Sequence, residues 1–275
     1  MRWTIALAAL VALFPIATAS GGDAAVTACP PTLANRLSST GTATQLVTVV
    51  ADRRAATRGS LQIWERADEC WVAVGGPWGA WLGQRGVSAN RREGDRTTPA
   101  GMFGFGRTMF GVAANPGVHY RYHRIVCGDW WVEDPRSPYY NRFRHVPCGA
   151  RPPFRVTSED LSRSPTAYRH FAVIAFNTNP VVPGRGSGIF LHASTGRPTI
   201  GCISLQLPQL LRVLRWLRPE RRPLIAVGTP AILRRPVKRK RPAGAGLLTE
   251  FGREGETRFM PRASSTLHRV GPGGT

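Results

Sequence analysis

The stretch Gly188-Ile189-Phe190-Leu191-His192, then Ala193-Ser194-Thr195-Gly196-Arg197-Pro198, then Thr199-Ile200-Gly201-Cys202-Ile203-Ser204-Leu205 reads as two buried strands joined by a turn. Ile, Phe and Leu fill both arms, and Gly196 and Pro198 reverse the chain between them. The first arm delivers His192 and the second brings back Gly201-Cys202, so a histidine and a cysteine ten residues apart meet. A free thiol has a pKa of about 8.5 and needs a neighbouring base to react as thiolate near neutrality, a role open to His192. Gly201 carries no side chain, which lets the amides of Gly201 and Cys202 approach a developing oxyanion. The same residues also fit a bland reading, in which Cys202 is a small buried hydrophobe and His192 a satisfied structural group.

Strand-like runs continue on both sides of this window. Upstream they cover 45–51, 61–65, 70–74 and 80–82, separated by Gly-, Asp- and Arg-rich turns as in an antiparallel sheet. Downstream they cover 171–176, 188–192, 199–205 and 224–227, rich in Ile, Val and Phe. One helix stands out. Leu207, Leu210, Leu211, Leu214 and Leu217 form an apolar stripe, Pro208 suits a first turn, Arg212, Arg215 and Arg218 fall off the stripe, and Pro219 ends it. The fold class is therefore α+β and β-rich.

Residues 119–151 lack regular periodicity but hold six Tyr or Trp, so they read as a long ordered, lid-like loop. Its aromatic and polar residues either line a groove or pack the loop itself. His119 and His123 stand four apart with acids following, yet they match no standard metal-ligand spacing, and no metal or organic cofactor is expected.

The N-terminus sets the compartment. Arg2, an apolar run from Trp3 to Ile16 and Ala17-Thr18-Ala19 read as a signal peptide over 1–19, too short and too Pro-broken for a spanning helix. Val26-Thr27-Ala28-Cys29 also loosely matches a lipid-attachment site at Cys29. Export makes five cysteines informative, because an oxidising compartment pairs thiols and an odd count leaves one over. Connectivity is not fixed by sequence. By position the expected pairs are Cys29 with Cys70 and Cys127 with Cys148, leaving Cys202 free.

The 275 residues carry 37 Lys and Arg against 16 Asp and Glu, a net charge of +21, with 42% hydrophobic residues. That composition excludes a wholly disordered polycation and favours polyanionic neighbours. Segments 20–41 and 231–275 read as a lead and a basic, disordered arm around a domain at 42–230. The chain shows no zinc-ligand, helix-turn-helix or RNP-type motif, so nucleic acid is not an expected partner, and no oligomeric state is implied.

The run His192…Thr199-Ile200-Gly201-Cys202-Ile203 resembles the active-site signature of the YkuD-type L,D-transpeptidases, and Thr98-Pro99-Ala100-Gly101-Met102-Phe103 is similar to that family's Thr-Pro-x-Gly-x-Phe segment. The resemblance spans about 42–228 and implies a mixed β-sandwich or barrel. It further implies an exported cysteine enzyme acting on peptidoglycan stem peptides: Cys202 as nucleophile, His192 as base, the Ala193 carbonyl orienting the imidazole, and Gly201 at the oxyanion. Thr199 and Ser204 beside them are candidate substrate contacts, and if the lid-like segment lines a groove, Tyr122, His123 and Asn141 are its candidate contacts. Ile200 stands where the family usually has His, Ser204 where Asn or Arg is frequent, and the spacer is short, as in a divergent branch. The competing function is a catalytically silent wall-binding module whose basic surface holds anionic cell-wall polymer.

Overall fold

A computed structural model describes residues 28–155 and 158–234. The expected signal peptide, the first part of the lead and the basic arm beyond Arg234 lie outside the described residues.

Fourteen strands follow in chain order. The first nine are β1 (Gln45–Val50), β2 (Arg58–Ala67), β3 (Cys70–Trp81), β4 (Val87–Ser88), β5 (Thr98–Pro99), β6 (Gly101–Gly111), β7 (Arg121–Arg124), β8 (Asp129–Trp131) and β9 (Phe143–His145). Then come β10 (Glu159–Asp160), β11 (Phe171–Ile174), β12 (Phe190–Ala193), β13 (Ile203–Leu205) and β14 (Leu224–Gly228). The helices are α1 (Leu207–Trp216) and the single turn α2 (Pro230–Leu233).

Eight strands close into a barrel in the order β11-β12-β13-β3-β2-β1-β14-β6, because β6 pairs back onto β11, and β7 adds a ninth strand outside the ring. Closure removes the free edges that an open sheet would expose. The expected antiparallel run β1-β2-β3 is present, with Val47 opposite Ile63 and Trp64 opposite Ala73. Pairings β1–β14, β12–β13 and β6–β7 are parallel, so the barrel is mixed.

Strand β6 was not legible as a strand, since Gly101, Gly104, Gly106 and Gly111 lower its β-propensity. Two of them, Gly106 and Gly111, allow close approach of neighbouring segments. A Cβ at Gly106 would lie 3.0 Å from the Cβ of Val173, and one at Gly111 would strike the Tyr122 hydroxyl and the Arg169 carbonyl.

The core gathers Val47, Leu61, Ile63, Leu191, Ile203, Leu205 and Ile225 with Leu210, Val213, Leu214 and Leu217 from the α1 face. Burying each such side chain contributes about 1.5–3 kcal/mol. The helix runs where the stripe placed it, except that Val213 is fully buried and Leu211 is not.

Residues 119–151 are not a single loop. β8 pairs with β9 and β10 in a small three-stranded sheet, and β7 belongs to the barrel flank. Trp131 packs with Phe110, Phe171 and Phe190 in a second apolar cluster, and Tyr120 and Tyr140 are buried as well, so half of the six Tyr and Trp are core. Disulfides join Cys29 to Cys70 and Cys127 to Cys148, and Cys202 is free. The Cys29 sulfur is thereby occupied, which corrects the lipid-attachment reading. Two disulfides are the mark of an oxidising, extracellular compartment. Among the described residues no helix is long and apolar enough to cross a membrane.

Candidate active site

The decisive window is not a hairpin. Strands β12 and β13 are parallel, with Leu191 opposite Ile203 and His192 opposite Ser204. The chain leaves Ala193, is caught at the end of β3 through Thr199 N donating to the Leu82 carbonyl and Gln84 N donating to the Thr199 carbonyl, and returns one residue before β13 at Cys202. The crossover still brings His192 and Cys202 to one cleft of about 1080 Å³.

Local bonds set the Cys202 backbone. The Thr199 hydroxyl donates to the Cys202 carbonyl at 2.6 Å and accepts from Gly201 N at 3.1 Å. The Thr98 hydroxyl also reaches that carbonyl, at 3.3 Å, while accepting from Gly83 N at 2.8 Å. The two sequence motifs therefore touch. Gly201 has φ +147°, a conformation that favours glycine. Its amide is already committed to Thr199 in this resting state, so oxyanion binding requires that bond to be exchanged.

The partly exposed thiol donates to the Gly188 carbonyl at 3.2 Å and accepts from Phe190 N at 3.3 Å. Burial pushes its pKa above the ordinary thiol value, and the Glu159 and Glu133 carboxylates add to that, while Phe190 N and Arg91 oppose it. Burial pushes His192 down to about 4, only partly offset by its bond to the Ala193 carbonyl. That bond runs from Nδ1 at 2.8 Å. A carbonyl only accepts, so Nδ1 carries the proton and Nε2 presents a lone pair. Tyr168 stands edge-on to the His192 ring, 5.7 Å between centroids. Both groups are uncharged at rest.

Acids border the same cleft. Burial raises Glu133 to about 8, with Glu159 and Glu93 adding repulsion. Glu133 packs over Gly188, whose φ is +60° and which has no room for a Cβ beside that carboxylate. Burial also raises Glu159, against a hydrogen bond from Tyr168.

Of the residues singled out from sequence, Cys202, His192, Gly201 and Thr199 line the cleft. Ala193 sits behind His192. Ser204 is buried, and its hydroxyl has no partner among the described residues. The other three are absent from the cleft wall. The Tyr122 hydroxyl donates to the Ala113 carbonyl at 2.9 Å and lies 2.9 Å from His170 Nδ1. His123 Nε2 and His145 Nδ1 both bond the fully buried Asp129, at 2.8 and 2.7 Å.

Asn141 clamps from behind: its oxygen accepts from Trp131 Nε1 and Gly188 N, and its nitrogen donates to the Phe176 and Asn177 carbonyls. These polar side chains read as ligand contacts because sequence does not show which partners the fold supplies. His119 faces Arg218 and not His123, so the candidate metal pair points two ways.

Arg91, Glu93, Glu159 and Tyr168 are cleft residues that sequence reasoning missed. Arg91 is one cation among 37 and had no distinguishing signal.

Barrel, crossover and paired motifs agree with a comparison to known families, in which the L,D-transpeptidase catalytic domain (YkuD) matches residues 43–233. The chain belongs to the L,D-transpeptidase family. No curated protein and no solved structure matches it. Within this L,D-transpeptidase domain Ile200 is 68% exposed at the cleft lip, so the position before Gly201-Cys202 offers an apolar surface to a ligand.

Proposed function

We propose that the protein is an exported, cysteine-dependent peptidoglycan L,D-transpeptidase. The observation that carries this reading is one cleft holding Cys202 and an imidazole whose Nδ1 is tied to the Ala193 carbonyl, leaving Nε2 as a base. His192 Nε2 takes the thiol proton as Sγ attacks the carbonyl of the diamino acid in a tetrapeptide stem. The C–N bond to D-Ala breaks, and the His192 proton goes to the departing amine. An amine of a second stem then attacks the Cys202 thioester and gives up its proton to His192 Nε2, which forms the cross-link and releases the Cys202 thiolate beside the imidazolium. Water in its place gives a trimmed stem, an L,D-carboxypeptidase outcome. Residues 1–19 act as the signal peptide, and the two disulfides support that compartment.

A silent wall-binding module is the competing reading. The thiol bonded to Gly188 is the observation on its side. Release of D-Ala from a tetrapeptide muropeptide, dependent on Cys202, separates the two.

A further inference from the structure

Arg91 is the buried arginine of the described residues, 5% exposed, yet it lines the cleft that holds Cys202. Its Nη1 donates to the Thr97 carbonyl, to Asp95 Oδ1 at 3.3 Å and to the Ile200 carbonyl at 3.5 Å. The guanidinium thus ties the turn before β5 to the residue that precedes Gly201. Two glycines make room for it. A Cβ at Gly201 would lie 2.5 Å from Nη1, and one at Gly186 would lie 2.8 Å from Nε. Nε itself has no hydrogen-bond partner.

A buried cation is costly, and here Nη1 is spent on Asp95, Thr97 and Ile200 while Nε is left idle among the described residues. The guanidinium packs against Gly201, the residue before the thiol, and lines the same cleft as that thiol. The titratable groups facing that thiol are His192 from β12, Glu159 from β10, Glu133 after β8, Tyr168 from the turn 167–169, and Arg91. His192 is neutral at rest and the two glutamates oppose a thiolate. Arg91 favours it.

We propose that Arg91 is a positioning residue for Cys202, fixing the Ile200-Gly201 turn from below and supplying the buried positive charge against which the thiolate forms. This deepens the function proposed above and rests on Cys202 being the nucleophile.

The test is the rate of Cys202 alkylation by iodoacetamide from about pH 7 to 10 in the mature protein and in the Arg91→Met and Arg91→Lys variants. The other four cysteines are paired, so the signal belongs to Cys202. Arg91→Met should slow alkylation at least about tenfold along the rising limb, equal to a pKa about one unit higher. Arg91→Lys should restore that limb yet release D-Ala from muropeptide more slowly, because one ammonium does not span Thr97 and Ile200 as a guanidinium does.

A folded Arg91→Met variant with the alkylation profile of the unaltered protein overturns the proposal. If Arg91→Met does not fold, an Arg91→Lys variant that matches the unaltered protein in D-Ala release overturns it. Alkylation needs no muropeptide, so a normal Arg91 effect without any D-Ala release would count against the proposed reaction and not against Arg91.

Discussion

Nδ1 of His192 lies 2.8 Å from the carbonyl oxygen of the next residue, Ala193. The main chain thereby does what a carboxylate does in other Cys–His sites, fixing tautomer and ring orientation. His192→Ala should cut D-Ala release by about 10²- to 10⁴-fold, the usual span for a general base. Burial holds the imidazole at about 4, so it stays neutral through mild acid. The acid limb of kcat should accordingly fall near 4 and not near the ordinary histidine value, as a pH–rate profile reads directly.

Stability should change with pH in two opposed ways. His192 sits at about 4 folded against 6.5 ordinarily, so its contribution is complete above 6.5 and is lost as pH falls toward 4. Glu133 sits at about 8 against 4.5, so its contribution is complete below 4.5 and is lost as pH rises through 8. From 6.5 to 8 Glu133 acts without His192. The thermal midpoint should decline across that interval, and Glu133→Gln should make the decline shallower, with Glu159, also raised by burial, accounting for what is left. A variant that declines just as steeply would show that Glu133 does not hold its proton there.

Asn141 should matter as a clamp and not as a substrate contact. Its amide satisfies Gly188 N, Trp131 Nε1 and two carbonyls behind the cleft. Asn141→Ala leaves several buried groups unpaired and should cost at least about 2–3 kcal/mol in denaturant unfolding. Because Gly188 accepts the Cys202 thiol, kcat should fall more than KM rises.

One free thiol per chain is the expectation for unreduced protein, with Cys29–Cys70 and Cys127–Cys148 peptides linked in a digest. The closed loops span 41 and 21 residues, so chain-entropy arguments give each bridge about 3–4 kcal/mol. Replacing Cys127 and Cys148 by Ala together should lower the thermal midpoint without removing D-Ala release. Abolished release in a folded variant would place the β8–β9 hairpin closer to catalysis than its position indicates.

Part of the lining of this cleft was legible in the sequence and its topology was not. His192, Gly201 and Cys202 stand out because the short window between two apolar runs contains few other reactive groups, and α1 because its stripe repeats at helical spacing. The parallel pairing of β12 with β13 was hidden, since Gly196 and Pro198 signal a turn without saying where the chain goes next. β6 was hidden by its glycines, of which Gly106 and Gly111 are explained only by the close approach of Val173, Tyr122 and Arg169 in the fold. That Tyr122, His123 and Asn141 lie off the cleft wall was hidden for a related reason: a polar side chain saturated by the fold looks the same in sequence as one offered to a ligand. Arg91 reaches the Ile200 carbonyl across 109 residues of chain, beyond any local pattern.

Mass spectrometry of a purified tetrapeptide-stem muropeptide, incubated with the mature protein and with Cys202→Ala, tests the central claim most directly. The account predicts loss of D-Ala, with or without a cross-linked dimer, only where Cys202 is present, and a Cys202→Ala variant that keeps its fold. Equal D-Ala loss with Cys202→Ala, or none with a protein whose thiol is demonstrably free, would contradict it.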